Sequence, residues 1–313
     1  MASQKSLSPL LRAVSSVTPD KDLSNQFRVR IAPEWTTQHS VLGGFLNALM
    51  LSTAKRFLAL TYGETRFPDP IHVFVQFLKM VPPGEVIISC TPLRFSSRQC
   101  VLKVELSPKV APDSSSSSSS SSNPPDASAV ISIATFADIS KESGFTLEAQ
   151  PSVPARLPNR LTECATIDDP VVDATPVTSK LNWVAPRLPG TFWGHRLGGH
   201  TREVWVSFRD GSKIEDILSV AFLSDLPLQP PATHRQGFYL RHALSTLCLS
   251  VEFKKRPDPT TQWVMIRSNS YRVTNGRYDV NIQIFDEHEN LLALSNHVLN
   301  ITELRPSLRR TKI

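Results

Sequence analysis

The sequence predicts an α+β protein built from two tandem units, each an antiparallel sheet wrapped around one central helix. Three observations carry that reading. The first is a repeat: Val75-Gln76-Phe77-Leu78-Lys79-Met80-Val81-Pro82-Pro83 lies beside Val251-Glu252-Phe253-Lys254-Lys255-Arg256-Pro257, both strand ends running into a proline turn. Val86-Ile87-Ile88-Ser89 then lies beside Val264-Met265-Ile266-Arg267, and Val101 to Leu106 beside Val280 to Phe285. The offset drifts only from 176 (Val75 to Val251) to 179 (Ser97 to Gly276), so a whole unit is duplicated. The second is the segment opened by Gly43-Gly44, with Phe45, Leu46, Ala48, Leu49, Met50, Ala54, Phe57, Leu58 and Leu60 on nearly every face. A helix apolar all round is a buried one. The third is the shortness of the links between Val/Ile/Phe-rich runs, Pro-Pro-Gly or Ser-Ser-Arg, too short for crossovers and therefore antiparallel.

Taken in order, residues 1–21 read as a disordered tail, basic and serine-rich with no apolar signal core. The first unit covers 22–145: a strand Phe27 to Ile31, the helix from Gly43, and strands Ile71 to Met80, Glu85 to Phe95, Gln99 to Ser107 and Ala129 to Ala137. A loop at 112–126 interrupts its last hairpin with nine serines, Ser114 to Ser122, a tract that buries no apolar surface. Residues 146–190 are proline-rich with little apolar periodicity and read as a surface linker. The second unit, 191–303, repeats the plan: strand Glu203 to Phe208, helix Ile214 to Leu226, strands His242 to Phe253, Gln262 to Val273, Tyr278 to Phe285 and Leu291 to Ile301. A basic tail, 304–313, follows.

Composition narrows the function. The 313 residues are 40% hydrophobic and 20% charged, which suits a soluble two-domain chain, and no apolar run reaches the ~20 residues a membrane span requires. The net charge of +6 is spread out, without the interleaved aromatics of a nucleic-acid platform, so no nucleic-acid partner is expected. Cys90, Cys100, Cys164 and Cys248 lack Cys-x-x-Cys spacing, and His195 and His200 have no acid or cysteine nearby, so neither a metal nor a disulfide framework is indicated. There is no Gly-x-Ser-x-Gly elbow and no phosphate-binding or dinucleotide fingerprint, so no cofactor is expected. The default compartment is the cytoplasm, with a mitochondrial or peroxisomal site as the alternative; the C-terminus is not a peroxisomal address.

A helix wrapped by an antiparallel sheet, twice in one chain, resembles the double-hotdog fold of the acyl-CoA thioesterase II family. Val41-Leu42-Gly43-Gly44 resembles the family's Gly-Gly entry to the first central helix. His72-Val73-Phe74-Val75-Gln76-Phe77-Leu78 followed by Pro82-Pro83-Gly84 resembles its H-x-x-F-L-x-P-x-P-G strand. Ser224-Asp225-Leu226 resembles the acidic end of its second helix, and Thr246 stands seven residues before Phe253 as a family threonine does. The resemblance covers most of 22–301, and the serine loop and proline linker point to a fungal-type member. It implies hydrolysis of acyl-CoA, or of an acyl-carrier thioester, in lipid or secondary metabolism, with an aspartate, a threonine and a glutamine holding the attacking water. The first two fall on Asp225 and Thr246; the glutamine position is occupied by His297, and Phe45 replaces the glutamine that follows Gly-Gly. A homo-oligomer formed through the sheets is a further expectation from the fold.

Asp225 also has a reading of its own. It continues the stripe Ile214, Ile217, Leu218, Ala221, Phe222 inward and occupies the last turn before Pro227, where helix dipole and desolvation both oppose its charge. Such a carboxyl suits a general base or a water-orienting group, and equally a helix end bonding the next loop. Thr246 is a hydroxyl for the same water or an ordinary strand residue. His297 shares a strand face with Ala293 and Ser295 and is either a site or a structural histidine. Gly43 and Gly44 present N–H groups to a substrate oxygen or simply permit tight packing, with Phe45 as a substrate-binding neighbour. Two rivals to thioester hydrolysis stay open: a dehydratase or cyclase on the same fold, and a non-catalytic acyl-binding protein.

Overall fold

The computed structural model describes residues 7–304 apart from 38–39, 110–127, 148–155, 189–192, 194, 196–197, 227–228 and 235. The serine tract and all but the first residue of the basic tail lie outside the described residues.

The first half contains helix α1 (Pro9–Ser15), strands β1 (Thr18–Pro19) and β2 (Gln26–Ile31), helix α2 (Gly43–Tyr62), and strands β3 (Asp69–Phe77), β4 (Gly84–Phe95), β5 (Cys100–Pro108) and β6 (Val130–Ala137). The second contains β7 (Cys164–Thr166), β8 (Leu181–Pro186), β9 (Thr201–Phe208), helix α3 (Ile217–Leu223), β10 (His242–Phe253), β11 (Val264–Asn269), β12 (Val273–Thr274), β13 (Arg277–Phe285) and β14 (Leu291–Glu303). Among the described residues, fourteen strands form one antiparallel sheet, in the order β1-β2-β4-β5-β6-β3-β10-β14-β13-β11-β9-β8-β7, with β12 paired to β13. The run β2-β4-β5-β6-β3 is answered by β9-β11-β13-β14-β10, the same order reversed about the β3–β10 junction. The duplication seen in the sequence is therefore a pseudo-twofold, and the two sheets are fused edge to edge rather than separate. At the junction Val75 opposes Leu249 and Val73 opposes Val251, all four buried and turned toward the helices. This is the double-hotdog α+β architecture. No helix among the described residues is long and apolar enough to cross a membrane.

Strand parity explains the core. Along β4, β5 and β6 alternate residues (Val86, Ile88, Cys90; Leu102, Val104, Leu106; Val130, Ser132, Ala134, Phe136) are buried on one face, as a half-buried sheet requires. α2 lies across that face and is buried without a break from Gly44 to Ala54. All seven residues of α3 are buried as well.

Three expectations need correction. Residues 1–21 are not a tail throughout. Ser8 caps α1 through Leu11 N–H···Oγ at 3.1 Å, Pro9 supplies a pre-set φ, and Leu10, Leu11 and Val14 fall at i, i+1 and i+4 to bury one face. α1 packs on α2 and α3. The 146–190 stretch is not only a surface linker: β8 enters the sheet against β9, with Leu181, Trp183 and Ala185 alternating inward and Trp183 Nε1–H bonding Thr178 O at 3.0 Å. Its prolines bracket short strands instead of replacing them. Finally α3 is shorter than 214–226, because the Asp216 carboxylate accepts the Leu218 N–H at 2.6 Å and starts the helix there.

The halves are also clamped by charge. Arg256, just past β10, holds Asp69 at the start of β3 through Nε (2.7 Å) and Nη2 (2.6 Å), and Asp69 further accepts the Ile139 N–H. The corrected N-terminus is directly testable: Leu10→Ala should lower stability by about 3 kcal/mol in urea denaturation, as for a fully buried leucine. An unchanged midpoint would return α1 to the status of a tail.

Candidate functional site

The site forms where the N-terminus of α2 meets the C-terminus of α3. The helices approach so closely that a Cβ on Gly44 would lie 2.2 Å from the Phe222 carbonyl oxygen. A Cβ on Gly43 would lie 2.5 Å from Asp225 Oδ2 and 2.9 Å from the Phe77 ring. Glycine is thus a packing requirement at 44, where the neighbour is backbone, while at 43 a methyl would meet side-chain ends; the close approach brings the first N–H groups of α2, which have no intrahelical acceptors, beside a carboxylate.

Asp225 follows the Ser224 C-cap of α3 and is only 5% exposed. The dipole of α3 opposes its charge, as the sequence implied, but the 20-residue α2 aims its positive end at the same group. Thr246 reaches it through a β-bulge. Strict alternation from Leu249, Val251 and Phe253 would turn Thr246 to the outer face; a register shift between Thr246 and Cys248 reverses the parity and turns it inward. Its hydroxyl donates to Asp225 Oδ1 at 3.3 Å. The bulge is held from the other half, by Gln76 Nε2 donating to Leu247 O at 2.9 Å.

His297 stands on the inner face of β14, 3% exposed, with Nδ1 3.4 Å from Asp225 Oδ1 and Nε2 2.7 Å from Ser295 Oγ. The Nδ1 contact is close enough for charge but is not aligned as a hydrogen bond. The arrangement suits the tautomer with hydrogen on Nδ1, facing the carboxylate, and with Ser295 donating to Nε2.

Beside this cluster opens a cleft of about 450 Å³ drawn from both halves. Leu42, Leu46, Phe77 and Leu299 supply apolar wall; Gly43, Asp225 and Thr246 lie together on it, and further polar side chains such as Lys79, Gln229 and His242 line the rest. The structure therefore brings Asp225, Thr246, His297, Gly43 and Gly44 together, but it separates their positions. Asp225, Thr246 and Gly43 line the cleft, whereas His297 lies behind Asp225 and Gly44 is taken up by helix contact. Phe45 is corrected. It is 1% exposed and stacks on Trp35 at 4.9 Å, so its side chain belongs to the core and not to the cleft. Gln76 is a supporting residue that sequence reasoning missed, since a bulge held from another strand leaves no mark in local pattern; the alternation places Ser295 on the strand face of His297 but assigns it no role. A second hollow of about 320 Å³ is bordered by Ser8, Trp35, Lys180, Arg209 and Asp210; Lys180 pairs with Glu34 and Arg209 with Asp173.

The α2–α3 contact makes a stability prediction. Gly44→Ala forces its methyl against backbone and should cost about 3 kcal/mol in urea denaturation; a cost near zero would mean that the helices do not touch there.

Comparison with known proteins bears on the family and the fold. The family model described as the acyl-CoA thioesterase N-terminal domain matches residues 31–137, and the one described as the acyl-CoA thioesterase C-terminal domain matches residues 159–301. No curated protein matches the chain in sequence. Among solved structures, a conserved hot dog fold protein of Alicyclobacillus acidocaldarius is similar at TM-score 0.70 and 15% identity, covering 96% of this chain and 100% of its own. The acyl-CoA thioesterase II TesB2 of Mycobacterium marinum is similar at TM-score 0.62 and 14% identity, covering 95% and 98%. The tesB protein of Mycobacterium avium subsp. paratuberculosis is similar at TM-score 0.63 and 15% identity, covering 95% and 100%.

Proposed function

We propose, from the premise that this chain belongs to the acyl-CoA thioesterase family and is a hydrolase, that it cleaves acyl-CoA or an acyl-carrier thioester with water activated at Asp225. The observation that carries this reading is the meeting of Asp225 and Thr246 on the wall of a cleft that also carries the apolar side chains of Leu42, Leu46, Phe77 and Leu299. The acyl chain lies along Leu42, Leu46, Phe77 and Leu299, where each buried methylene contributes about 0.8 kcal/mol.

A water held between Asp225 and Thr246 Oγ1 attacks the thioester carbonyl carbon while its proton passes to the carboxylate. The developing oxyanion is met by N–H groups at the start of α2, where the helix dipole also favours negative charge. The C–S bond then breaks, and the thiolate takes up the proton that Asp225 received. His297 acts through Asp225: its N–H faces Oδ1 and fixes the carboxylate, without touching water itself. No covalent intermediate is required, and cytosolic acyl thioesters are the substrates we assign.

Thiol release from short-, medium- and long-chain acyl-CoAs tests the reading. The native chain should turn over at least one length class; absence of turnover on every thioester would contradict the proposal and favour an acyl-binding protein. Thr246→Val removes one donor and should lower kcat about 10²-fold with the fold intact. Gly43→Ala places its methyl on Asp225 Oδ2, the movable end of a side chain, so kcat should fall at least about tenfold while stability changes far less than for Gly44→Ala. Full activity in Gly43→Ala would show that the carboxylate is not where the chemistry happens.

A further inference from the structure

Arg202, the second residue of β9, shares the inner sheet face with Val204, Val206 and Phe208 and is 2% exposed. Its Nε, Nη1 and Nη2 are buried without a hydrogen-bond partner among the described residues, and the guanidinium lies 4.9 Å from the Trp193 ring. A buried charge lacking a counter-ion costs several kcal/mol. The group does not escape by losing its proton: burial lowers its pKa only to about 10, so it is a cation at neutral pH.

Two more unpaired polar atoms stand on the same side. Ser268 opposes Arg202 in the sheet, so Ser270, two residues on, faces inward too, and its Oγ is buried without a partner. His195 Nε2 accepts the Glu203 N–H at 2.6 Å, which leaves the hydrogen on Nδ1, and Nδ1 is buried facing the Trp193 backbone with no acceptor in good hydrogen-bond geometry among the described residues. Burial, and then the charge of Arg202, push His195 down to about 4, so it stays neutral. The guanidinium and the imidazole Nδ1–H can only donate, and the serine hydroxyl can donate as well. Such a set fits a ligand that only accepts, and a positive centre selects an anion among those.

The cluster lies next to the cleft. Tyr239 and Tyr278 are close neighbours of Arg202. Tyr278 Oη–H donates to Gln229 Oε1 at 2.6 Å, and Gln229 and Tyr239 are both cleft walls. One layer of side chains thus separates the cleft from an unpaired buried cation.

We propose that Arg202, with Ser270 and His195, forms a carboxylate-binding site behind the Gln229–Tyr278 pair at the inner end of the cleft. The carboxylate comes either from the far end of a dicarboxylic acyl group or from a free small acid. The first source rests on the thioesterase reading; the second does not.

The experiment has two arms on the full chain. One compares kcat/KM for dicarboxylic mono-CoA thioesters with plain acyl-CoAs of equal length, adipoyl against hexanoyl and suberyl against octanoyl, in native protein and Arg202→Met. The other follows thermal melting with free adipate or suberate. We expect the native chain to favour the carboxylated thioester at one length by at least about tenfold, and Arg202→Met to lose that ratio. Free dicarboxylate should raise the native Tm and leave that of Arg202→Met unmoved, and Arg202→Met should melt higher than native without anion. A Tm shift without a substrate preference supports the site with a free acid as its ligand. Equal ratios together with equal Tm responses in both proteins would overturn the proposal. If no thioester is cleaved, the melting arm still decides the site independently of the reaction. Should Arg202→Met fail to fold, Ser270→Ala must show a reduced Tm response, and an undiminished one overturns the assignment.

Discussion

Gly43 and Gly44 let the N-terminal turn of α2 sit against the C-terminal turn of α3 at backbone distance, with Phe222 O over one glycine and Asp225 Oδ2 over the other. Much else depends on that contact. It sets the depth at which α2 lies across the first sheet half, and so where Leu42 and Leu46 form cleft wall. It also delivers the carboxylate of one half to the helix start of the other, which neither half could do alone. The fused sheet serves the same end, since β3 and β10 pair across the junction and fix the helices relative to each other.

A carboxylate at 5% exposure needs compensation, and here it is spread over several elements. The dipole of α2 favours the charge, Thr246 donates to it, and His297 turns an N–H toward it. Each partner is itself held: Thr246 by the bulge that Gln76 secures, His297 by Ser295. The carboxylate is therefore fixed in place but keeps an edge on the cleft, the condition a base needs if it is to act without first reorganising.

Different parts of this structure were legible for different physical reasons. The duplication, the buried α2 and the inner faces of the main strands follow from periodicity, which local sequence carries. Asp225 was legible because it prolongs the apolar stripe of α3, and Gly43-Gly44 because adjacent glycines opening a buried helix imply close approach. Composition misled at residues 1–21, where serines and basic residues obscured the Ser8 cap and the Leu10, Leu11, Val14 stripe. It misled again at β8, whose alternation of Leu181, Trp183 and Ala185 sits among prolines. Thr246 could be placed by resemblance alone, because its inward aim comes from a bulge stabilised 171 residues away in sequence. The places of Phe45 and His297 were not legible, for a related reason. Their side chains point at Trp35 and Asp225, and no local pattern tells a cleft wall from the layer behind it. Arg202 was invisible for the same reason, as a strand-end arginine reads as solvated until its neighbours are known.

The central claim is that Asp225 is the base, and thiol release by Asp225→Asn measures it most directly. The amide keeps the volume and the place of the side chain but cannot take the proton of water. With folding confirmed by an unchanged melting curve, kcat on the best acyl-CoA should fall by about 10³-fold with little change in KM. Activity within a few-fold of native in that variant would contradict the account and move the chemistry away from the α2–α3 contact.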